Sequence, residues 1–261
     1  MTDIEKLKDL LEKKEQLVAM VAPSFPLMYG YPDIITKLKA LGFKYVVEVS
    51  AGAKKTNEAV AKLLRENPNS RFITSPCASF VRYIRAKHPE FIKYLAFQAD
   101  SPMVATAKMV RETYPNYKSV FIGPCIVKKL EASEDYPELN IVVLTYKELN
   151  QILGEKSLSD IPTNSQDTFD ISEDTTRIYP FDGGLTESSG IRSILKDDEI
   201  RIVSGYKNCE AALKEFKENT KIRFIDILFC DGGCISGPGI TSALSVSDRK
   251  KKVIDYANSF T

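Results

Sequence analysis

The sequence predicts an α/β protein of two lobes, each a small, mainly parallel sheet flanked by helices. Short continuous apolar runs alternate with amphipathic segments along the chain, which is typical of strand–helix–strand units. Between residues 154 and 177 the composition shifts to Ser, Asp, Thr and Asn, which indicates a long connecting loop. We therefore expect one domain over 1–261, with lobe one at 1–153 and lobe two at 178–261.

The elements of lobe one follow from apolar runs and capping signals. Strands are expected at 17–22, 45–49, 71–74, 119–122 and 141–144. Helices are expected at 2–16, 33–42, 56–65, 79–87, 102–113 and after residue 145. Gly42 suits a helix C-cap, Pro102 suits a first helical turn, and Thr145 with Glu148 forms a capping box.

Lobe two continues the same alternation. A turn at 182–185 leads into a helix at 189–195, which precedes a strand at 200–203. A helix at 208–217 leads into an apolar strand that starts at Phe224, and a final helix covers 247–259.

The overall composition is that of an ordinary globular protein, with 43% hydrophobic and 27% charged residues. A net charge of +1 gives no electrostatic footprint for nucleic acid or for an anionic membrane. No apolar run approaches the roughly 20 residues that a membrane helix needs, and the charged N-terminus is unlike a signal peptide. A cytoplasmic location, with neither nucleic acid nor membrane as a partner, is the expectation.

The numbers of cysteines and histidines limit the kinds of disulfide and metal site that the chain can form. Five cysteines at uneven spacing argue against a disulfide framework. The single histidine, His88, precedes Pro89 at a helix end and is expected at the surface without a metal role. Cys209 lies in a helical stretch and is expected to be a packing residue.

Three cysteines directly follow predicted strands. Cys77, Cys125 and Cys230 each come after an apolar run, and Cys234 follows on a glycine-rich loop. Open α/β sheets gather ligands outside the carboxyl ends of their strands, so these thiols are expected to converge in the cleft between the lobes. Four thiolates are what an iron–sulfur cubane requires.

Two other interpretations of these cysteines remain open. A free cysteine after a strand is often a small buried hydrophobe, although four in the same position make this less favoured. A structural zinc site with four cysteine ligands is the second alternative. Such sites usually use two close pairs, and here only Cys230 and Cys234 are close.

The segments around these cysteines resemble the three signature segments of [FeFe]-hydrogenase catalytic domains, in the same order. They are Thr74-Ser-Pro-Cys77, Gly123-Pro-Cys-Ile-Val-Lys-Lys129 and Cys230-Asp-Gly-Gly-Cys234-Ile-Ser-Gly-Pro-Gly239. The resemblance covers nearly the whole chain and is closest to the sensory and minimal branches of that family.

The resemblance implies an H-cluster, which is a [4Fe–4S] cubane joined through a cysteine to a diiron unit with CO, cyanide and a bridging dithiolate. By this resemblance Cys77, Cys125, Cys230 and Cys234 hold the cubane, and Cys234 bridges to the diiron unit. Lys128 corresponds to the lysine that donates to a diiron cyanide, a strong anionic acceptor. Further cofactor-binding positions implied by the resemblance are Pro23, Ser24, Ser101, Met103 and Pro124.

The chain also departs from the family pattern. A proton-relay cysteine is replaced by Pro76, which has no exchangeable proton, and a relay serine is replaced by Phe97. Of two relay glutamates only Glu58 has a counterpart. Pocket positions differ at Met103, Gly123 and Leu228. Because general acid–base steps are worth roughly 10²–10⁴-fold, the resemblance implies a slow enzyme of reversible H₂ oxidation and proton reduction.

Partners and alternative functions follow from the same resemblance. No ferredoxin-type clusters precede the domain, so electrons are expected to come from an external ferredoxin-like protein, in a minimal enzyme or a piece of a longer one. Insertion of the diiron unit implies hydrogenase maturation machinery. A hydrogen or redox sensor with the same cofactor, a cubane-only iron–sulfur protein and a zinc-held scaffold remain alternatives.

Overall fold

The strands of the protein form two parallel sheets in the computed structural model, which describes residues 1–260. The strands are β1 (Leu17–Val21), β2 (Tyr45–Glu48), β3 (Phe72–Ile73), β4 (Lys118–Gly123), β5 (Val142–Thr145), β6 (Ile200–Ser204) and β7 (Phe224–Leu228). The first sheet has the order β2-β1-β4-β5 and the second has the order β3-β7-β6. All neighbouring strands are parallel, which confirms the predicted α/β class.

Helices connect and cover these strands. The α-helices are α1 (Asp3–Glu12), α2 (Asp33–Leu41), α3 (Ser50–Glu66), α4 (Ala78–Lys87), α5 (Pro102–Thr113), α6 (Lys128–Leu130), α7 (Tyr146–Glu155), α8 (Gly184–Ser189), α9 (Tyr206–Glu218) and α10 (Val246–Asn258). Short 3-10 turns occur at Phe25–Leu27, Pro89–Tyr94, Pro137–Leu139, Asp174–Thr176, Ile191–Ser193, Asp197–Glu199 and Cys234–Ser236, and a π-helical turn at Glu131–Asp135. Within residues 1–260 no helix is long and apolar enough to cross a membrane.

Strand β1 is one of the two inner strands of the first sheet and lies in its apolar core. Every residue of β1 is buried, and Ala19 pairs with Val46 on one side and Val120 on the other. Such a strand is covered on both faces, so its sequence is continuously apolar rather than alternating. The second sheet has separate apolar clusters, which include Phe80 and Phe216.

Strand β3 differs from the predicted division into lobes. It falls inside residues 1–153, yet Phe72 and Ile73 pair with Phe224 and Ile225 of β7 in the second sheet. The chain therefore crosses from the first sheet to the second and returns before residue 154. The paired residues are about 150 positions apart, a separation over which local sequence patterns carry no pairing information.

The helix predicted at 189–195 lies earlier in the chain. The structure places α8 at Gly184–Ser189 and only a 3-10 turn at Ile191–Ser193. Gly190 ends α8 with a φ of 70°, in the left-handed region that glycine adopts without a steric penalty. The prediction placed the start of this helix too late, because a glycine pair is, in sequence alone, typical of a turn.

The segment predicted as a connecting loop lies along the edge of the first sheet. Helix α7 extends to Glu155, and the chain then has no regular helix until the 3-10 turn at Asp174–Thr176. Within this segment Ile171 accepts a backbone hydrogen bond of 2.8 Å from Glu48 of β2. The segment thus extends the edge of the sheet and then leads to Arg177.

A buried ion pair anchors the end of this segment to β2. Arg177 Nε donates to Glu48 Oε2 at 2.8 Å, and the two side chains are 2% and 0% exposed. Tyr256 of α10 donates to the other oxygen of Glu48 at 3.0 Å, and Ser50 donates to Oε2 at 3.0 Å. The pair therefore ties the loop, β2 and the last helix together.

Removing one member of this pair should strongly destabilise the protein. We expect Glu48→Ala to lower the free energy of unfolding by about 3–5 kcal/mol, because Arg177 stays buried and keeps only the half-exposed carboxylate of Asp174, 2.7 Å from Nη1. Urea denaturation of the purified protein measures this change. The matched control is Glu66→Ala, because the Lys62–Glu66 pair is exposed and such pairs contribute about 0–1 kcal/mol. Equal effects of the two substitutions would contradict the assigned importance of the buried pair.

Candidate functional site

Three strand ends bring cysteines to the same region of the protein. Cys125 follows β4 of the first sheet by two residues, and Cys230 follows β7 of the second sheet by two. Cys77 follows β3 and directly precedes α4. Cys234 starts the 3-10 turn Cys234–Ser236, immediately beyond Cys230. Thiols that follow strands of both sheets therefore lie close enough to interact electrostatically.

The four thiols interact with one another electrostatically. Burial raises the pKa of Cys234 well above its usual value, and Cys77, Cys125 and Cys230 raise it further. Burial likewise raises the pKa of Cys230 to about 12, with additional contributions from Cys77 and Cys125. All four are only partly exposed. With their pKa values raised, the thiols of Cys230 and Cys234 stay protonated unless a metal replaces the protons.

The four thiols do not converge on a single point. In the part of the chain that the structure describes, no three Cys, His, Asp or Glu side chains are arranged to hold one metal ion. Polar contacts hold two of the thiols in place: Phe229 N–H donates to Cys77 Sγ at 3.5 Å, and Ser79 Oγ lies 3.8 Å from Cys125 Sγ. The donor set consists of cysteines alone, which suits an iron–sulfur cluster.

The loop between Cys230 and Cys234 depends on glycine. Gly233 has a φ of 94°, and a Cβ there would lie 2.8 Å from the carbonyl oxygen of Pro180. Ile235 N–H also donates to Pro180 O at 3.2 Å, so the loop is held directly against the segment that precedes α8. A larger residue at position 233 would push Cys234 away from this segment.

An apolar cavity lies between the sheets and borders two of the cysteines. It encloses about 580 Å³ of space free of protein atoms, part of which is open to solvent. Its lining consists of Ala22, Pro23, Ser24, Val49, Ala53, Pro76, Pro102, Met103, Phe121, Pro124, Cys125, Lys128, Tyr179, Pro180, Leu228 and Cys234. This lining contains no Asp, Glu or His, so the cavity offers a cation and hydroxyls but no carboxylate.

Lys128 is the one lysine in this lining, and its ammonium is held in place by two acceptors. Nζ donates to the Pro76 carbonyl at 3.1 Å and to Glu131 Oε2 at 2.5 Å. Burial lowers the pKa of Lys128, but its charge attraction to Glu131 and their hydrogen bond outweigh burial, so the pKa is raised overall. An ammonium has three donors, so one N–H remains for a group in the cavity.

Ser24 and Tyr146 form a buried hydroxyl pair beside the cavity. Their oxygens lie 2.9 Å apart, and Tyr146 donates its own hydrogen to Ala22 O at 2.8 Å. The hydrogen of Ser24 is therefore free to point either to Tyr146 or into the cavity, but not to both. Ser24 can thus serve as a second donor to a bound group.

Most but not all of the remaining predicted positions line the cavity. Pro23, Met103 and Pro124 line the cavity with Lys128 and Ser24. Ser101 does not, since it caps α5 by accepting from Val104 N–H at 3.4 Å and borders a separate pocket. The roles of these residues and of the four cysteines as ligands stay predictions.

The departures from the family pattern also have structural counterparts. Pro76 and Leu228 line the cavity. Phe97 is 42% exposed and lies under Arg85, whereas Glu58 is exposed and pairs with Lys55. Neither Phe97 nor Glu58 reaches the cavity lining.

Three other positions named in the sequence analysis have the following surroundings. A Cβ on Gly123 would lie 2.6 Å from the ring of Phe121, so that ring fills the space of a larger residue. His88 is partly buried and lies 2.9 Å from Glu210 Oε1 through Nε2. Cys209 is fully buried in the apolar core of the second sheet, as predicted for a packing residue.

Sequence reasoning missed Glu131, Tyr146 and Tyr179 as site residues. Glu131 lies three residues after Lys128, the spacing of an ion pair on one helical face, so this signal was available. Tyr146 contacts Ser24 across 122 positions, which no local pattern indicates. Tyr179 opens the segment 179–185, which resembles the sensory branches of the family, but the resemblance gives Tyr179 no role.

Comparisons with known proteins identify the family of this chain. Residues 15–238 match the family described as iron only hydrogenase large subunit, C-terminal domain. Iron hydrogenase 1 of Clostridium pasteurianum is 24% identical over 90% of this chain and 52% of its own length. The probable cytosolic Fe-S cluster assembly factor oxy-4 of Caenorhabditis elegans is 23% identical over 85% of this chain and 60% of its own length. The chain thus spans between half and two thirds of these two relatives.

A solved structure shows the same fold. A variant of the [FeFe]-hydrogenase HydA1 from Chlamydomonas reinhardtii superimposes with a TM-score of 0.72 at 16% identity, covering 97% of this chain and 88% of that chain. At this identity the likeness shows the fold alone. Together with the family match, which covers most of the sequence, it leads to one conclusion: the chain belongs to the family defined by the C-terminal domain of the iron-only hydrogenase large subunit, whose members are iron–sulfur proteins.

Proposed function

We propose that this chain is a low-turnover [FeFe]-hydrogenase. In this proposal Cys77, Cys125, Cys230 and Cys234 hold a [4Fe–4S] cubane, and a diiron unit with CO, cyanide and a bridging dithiolate occupies the adjoining cavity. The observation that carries the proposal is the cavity itself, which borders Cys234 and holds one buried ammonium. A cubane alone would leave this apolar space without an occupant.

The diiron unit would supply the reversible conversion of H₂ into two protons and two electrons. The residues of this chain would bind and surround it. Lys128 has one free N–H and Ser24 has one adjustable O–H, and both can donate to anionic ligands such as cyanide. The prolines and Met103 give the remaining surface of the cavity an apolar lining.

Slow turnover follows from the groups that the lining lacks. Pro76 stands directly before Cys77 at the cavity wall, and a proline side chain neither donates nor accepts a proton. The relay positions Phe97 and Glu58 lie outside the cavity lining. A missing proton-transfer group costs roughly 10²–10⁴-fold in rate.

Removing the Lys128 ammonium should weaken retention of the diiron unit. Lys128→Met alone would leave Glu131 buried without a cation, so the informative variant is Lys128→Met with Glu131→Gln. We expect the CO and cyanide infrared bands of the reconstituted variant to fall at least about tenfold, the loss typical of one charge-assisted hydrogen bond. Iron and sulfide of the cubane should stay at the level of the parent protein.

Two controls distinguish the loss of the Lys128 charge from other effects of substitution. Glu131→Gln alone keeps the ammonium and should retain the bands. Lys129→Met removes a neighbouring ammonium that pairs with Asp3 and Glu148, away from the cavity lining, and should also retain them. Undiminished bands in the double variant would contradict the assigned role of Lys128.

The test of the function is anaerobic reconstitution in two steps. Iron and sulfide are added first, and EPR of the reduced protein reports the cubane. A synthetic diiron complex is added next, and infrared spectroscopy reports CO and cyanide bands. Slow hydrogen release from reduced viologen, together with these bands, is the expected result.

A second candidate is a protein that holds the cubane only. The observation that favours it is the absence of a carboxylate from the cavity lining, and one relative is named as an Fe-S cluster assembly factor. In the same experiment this candidate gives the EPR signal without infrared bands. Bands without hydrogen release would instead support a sensor with the full cofactor.

A further inference from the structure

Tyr179 places a buried hydroxyl without a partner at the wall of the cavity. Its side chain lines the cavity, the residue is 8% exposed, and its oxygen has no hydrogen-bond partner among residues 1–260. Tyr146, the other fully enclosed tyrosine near Cys234, is satisfied by Ser24 and by Ala22 O. A buried hydroxyl without a partner is costly, so Tyr179 indicates that a group is missing beside it.

The backbone holds Tyr179 firmly against the Cys234 loop. Pro180 O accepts from Ile235 N–H at 3.2 Å, and Phe181 forms an antiparallel bridge with Gly233. On the other side, a Cβ on Gly184 would lie 2.2 Å from Ile178 O, so the segment also packs tightly on α8. Tyr179 is therefore fixed relative to Cys234 rather than free to seek another partner.

The surroundings of the Tyr179 hydroxyl favour its acting as a hydrogen-bond donor. Burial raises the pKa of Tyr179 well above its usual value, and Asp226 and Cys234 raise it further, so the side chain stays protonated. Thr56 lies near the same oxygen, but its own hydrogen is donated to Asp100 O at 2.8 Å, and no hydrogen bond joins Thr56 to Tyr179. The hydroxyl hydrogen is thus available to an acceptor in the cavity.

We propose that Tyr179 donates a hydrogen bond to the electron-rich iron-bound group held at Cys234. The inference rests on the proposed function, since it needs an iron–sulfur cluster at that cysteine. The acceptor is either the cluster sulfur of Cys234 or an anionic ligand in the cavity, and both share the same chemistry. Tyr179 is in this view a positioning residue that tunes the reduction potential, because hydrogen bonds to a cluster stabilise its reduced state.

The test is Tyr179→Phe, which removes only the oxygen. We expect the midpoint potential of the cubane to become more negative, with the equilibrium constant for reduction falling roughly three- to tenfold, where tenfold is about 59 mV for one electron. A shift in the form without diiron assigns the acceptor to Cys234. A shift confined to the cyanide infrared bands of the diiron-loaded form assigns it to the cavity ligand.

The matched control is Tyr146→Phe, measured without iron. Tyr146→Phe breaks two protein hydrogen bonds and should lower the urea midpoint of the apoprotein, whereas Tyr179→Phe breaks none and should not lower it. A lowered apoprotein midpoint for Tyr179→Phe would overturn the inference, since the hydroxyl would then have a partner within the protein.

Two further outcomes separate this inference from the proposed function. If the wild-type protein binds a cluster and Tyr179→Phe leaves potential and infrared bands unchanged, the hydroxyl holds only a buried water and this inference alone fails. If the wild-type protein binds no iron and sulfide, the proposed function fails, and this inference fails with it.

Discussion

Replacement of Cys234 by serine should abolish assembly of the cubane. Cys234 interacts with all three other cysteines of the set, so its loss leaves three thiols for a cluster that needs four ligands. We expect less than about one tenth of the wild-type iron and sulfide after anaerobic reconstitution, because a serine hydroxyl has a much higher pKa than a thiol and is a poor ligand for iron. Elemental analysis of the desalted protein measures both.

Cys209 provides a control for the replacement of a cysteine. This cysteine is fully buried in α9, and its thiol donates to Leu228 O at 3.6 Å, outside the cavity lining. Cys209→Ala should therefore bind as much iron and sulfide as the wild-type protein. Full iron binding by Cys234→Ser, or loss of iron in Cys209→Ala, would contradict the assigned ligand set.

Replacement of Pro76 by cysteine should raise hydrogen release. Pro76 lines the cavity directly before Cys77, where the substitution places a titratable thiol. A proton donor at this wall should accelerate turnover by roughly 10²–10⁴-fold, the usual contribution of general acid–base catalysis. The measurement is hydrogen release from reduced viologen by the diiron-loaded protein.

The comparison that isolates the thiol is Pro76→Ala. Both substitutions remove the proline ring and restore a backbone N–H, and both keep the carbonyl that accepts from Lys128. Only the cysteine adds a proton donor. Equal hydrogen release by the two variants would show that proton supply through this position does not limit the rate.

The sequence was most informative where a residue type and a strand end coincide. Cys77, Cys125 and Cys230 each follow an apolar run, and parallel strands carry such residues to the carboxyl edge of their own sheet. Lys128 was singled out only by the resemblance to the hydrogenase family, because its spacing alone is that of a solvated lysine. These features are local, so a single stretch of chain contains the whole signal.

Contacts between distant segments were not predictable in this way. The pairing of β3 with β7 joins Phe72 to Phe224, and the contact between Ser24 and Tyr146 joins a turn to a helix. The unpaired hydroxyl of Tyr179 depends on the absence of any acceptor around it among the described residues, which only the folded structure reveals. Such features arise from tertiary packing, which a one-dimensional pattern of apolar residues does not encode.

Because β3 crosses into the second sheet, a cluster bound at the four cysteines would join the two sheets. Cys125 belongs to one sheet, whereas Cys77 and Cys230 belong to the other, so a cluster bound to them would be an inorganic cross-link across the seam. Binding to the native state alone shifts the unfolding equilibrium by mass action. Removal of the iron by a chelator would then loosen the contact between the two sheets first. Each sheet would keep the apolar cluster that it buries by itself.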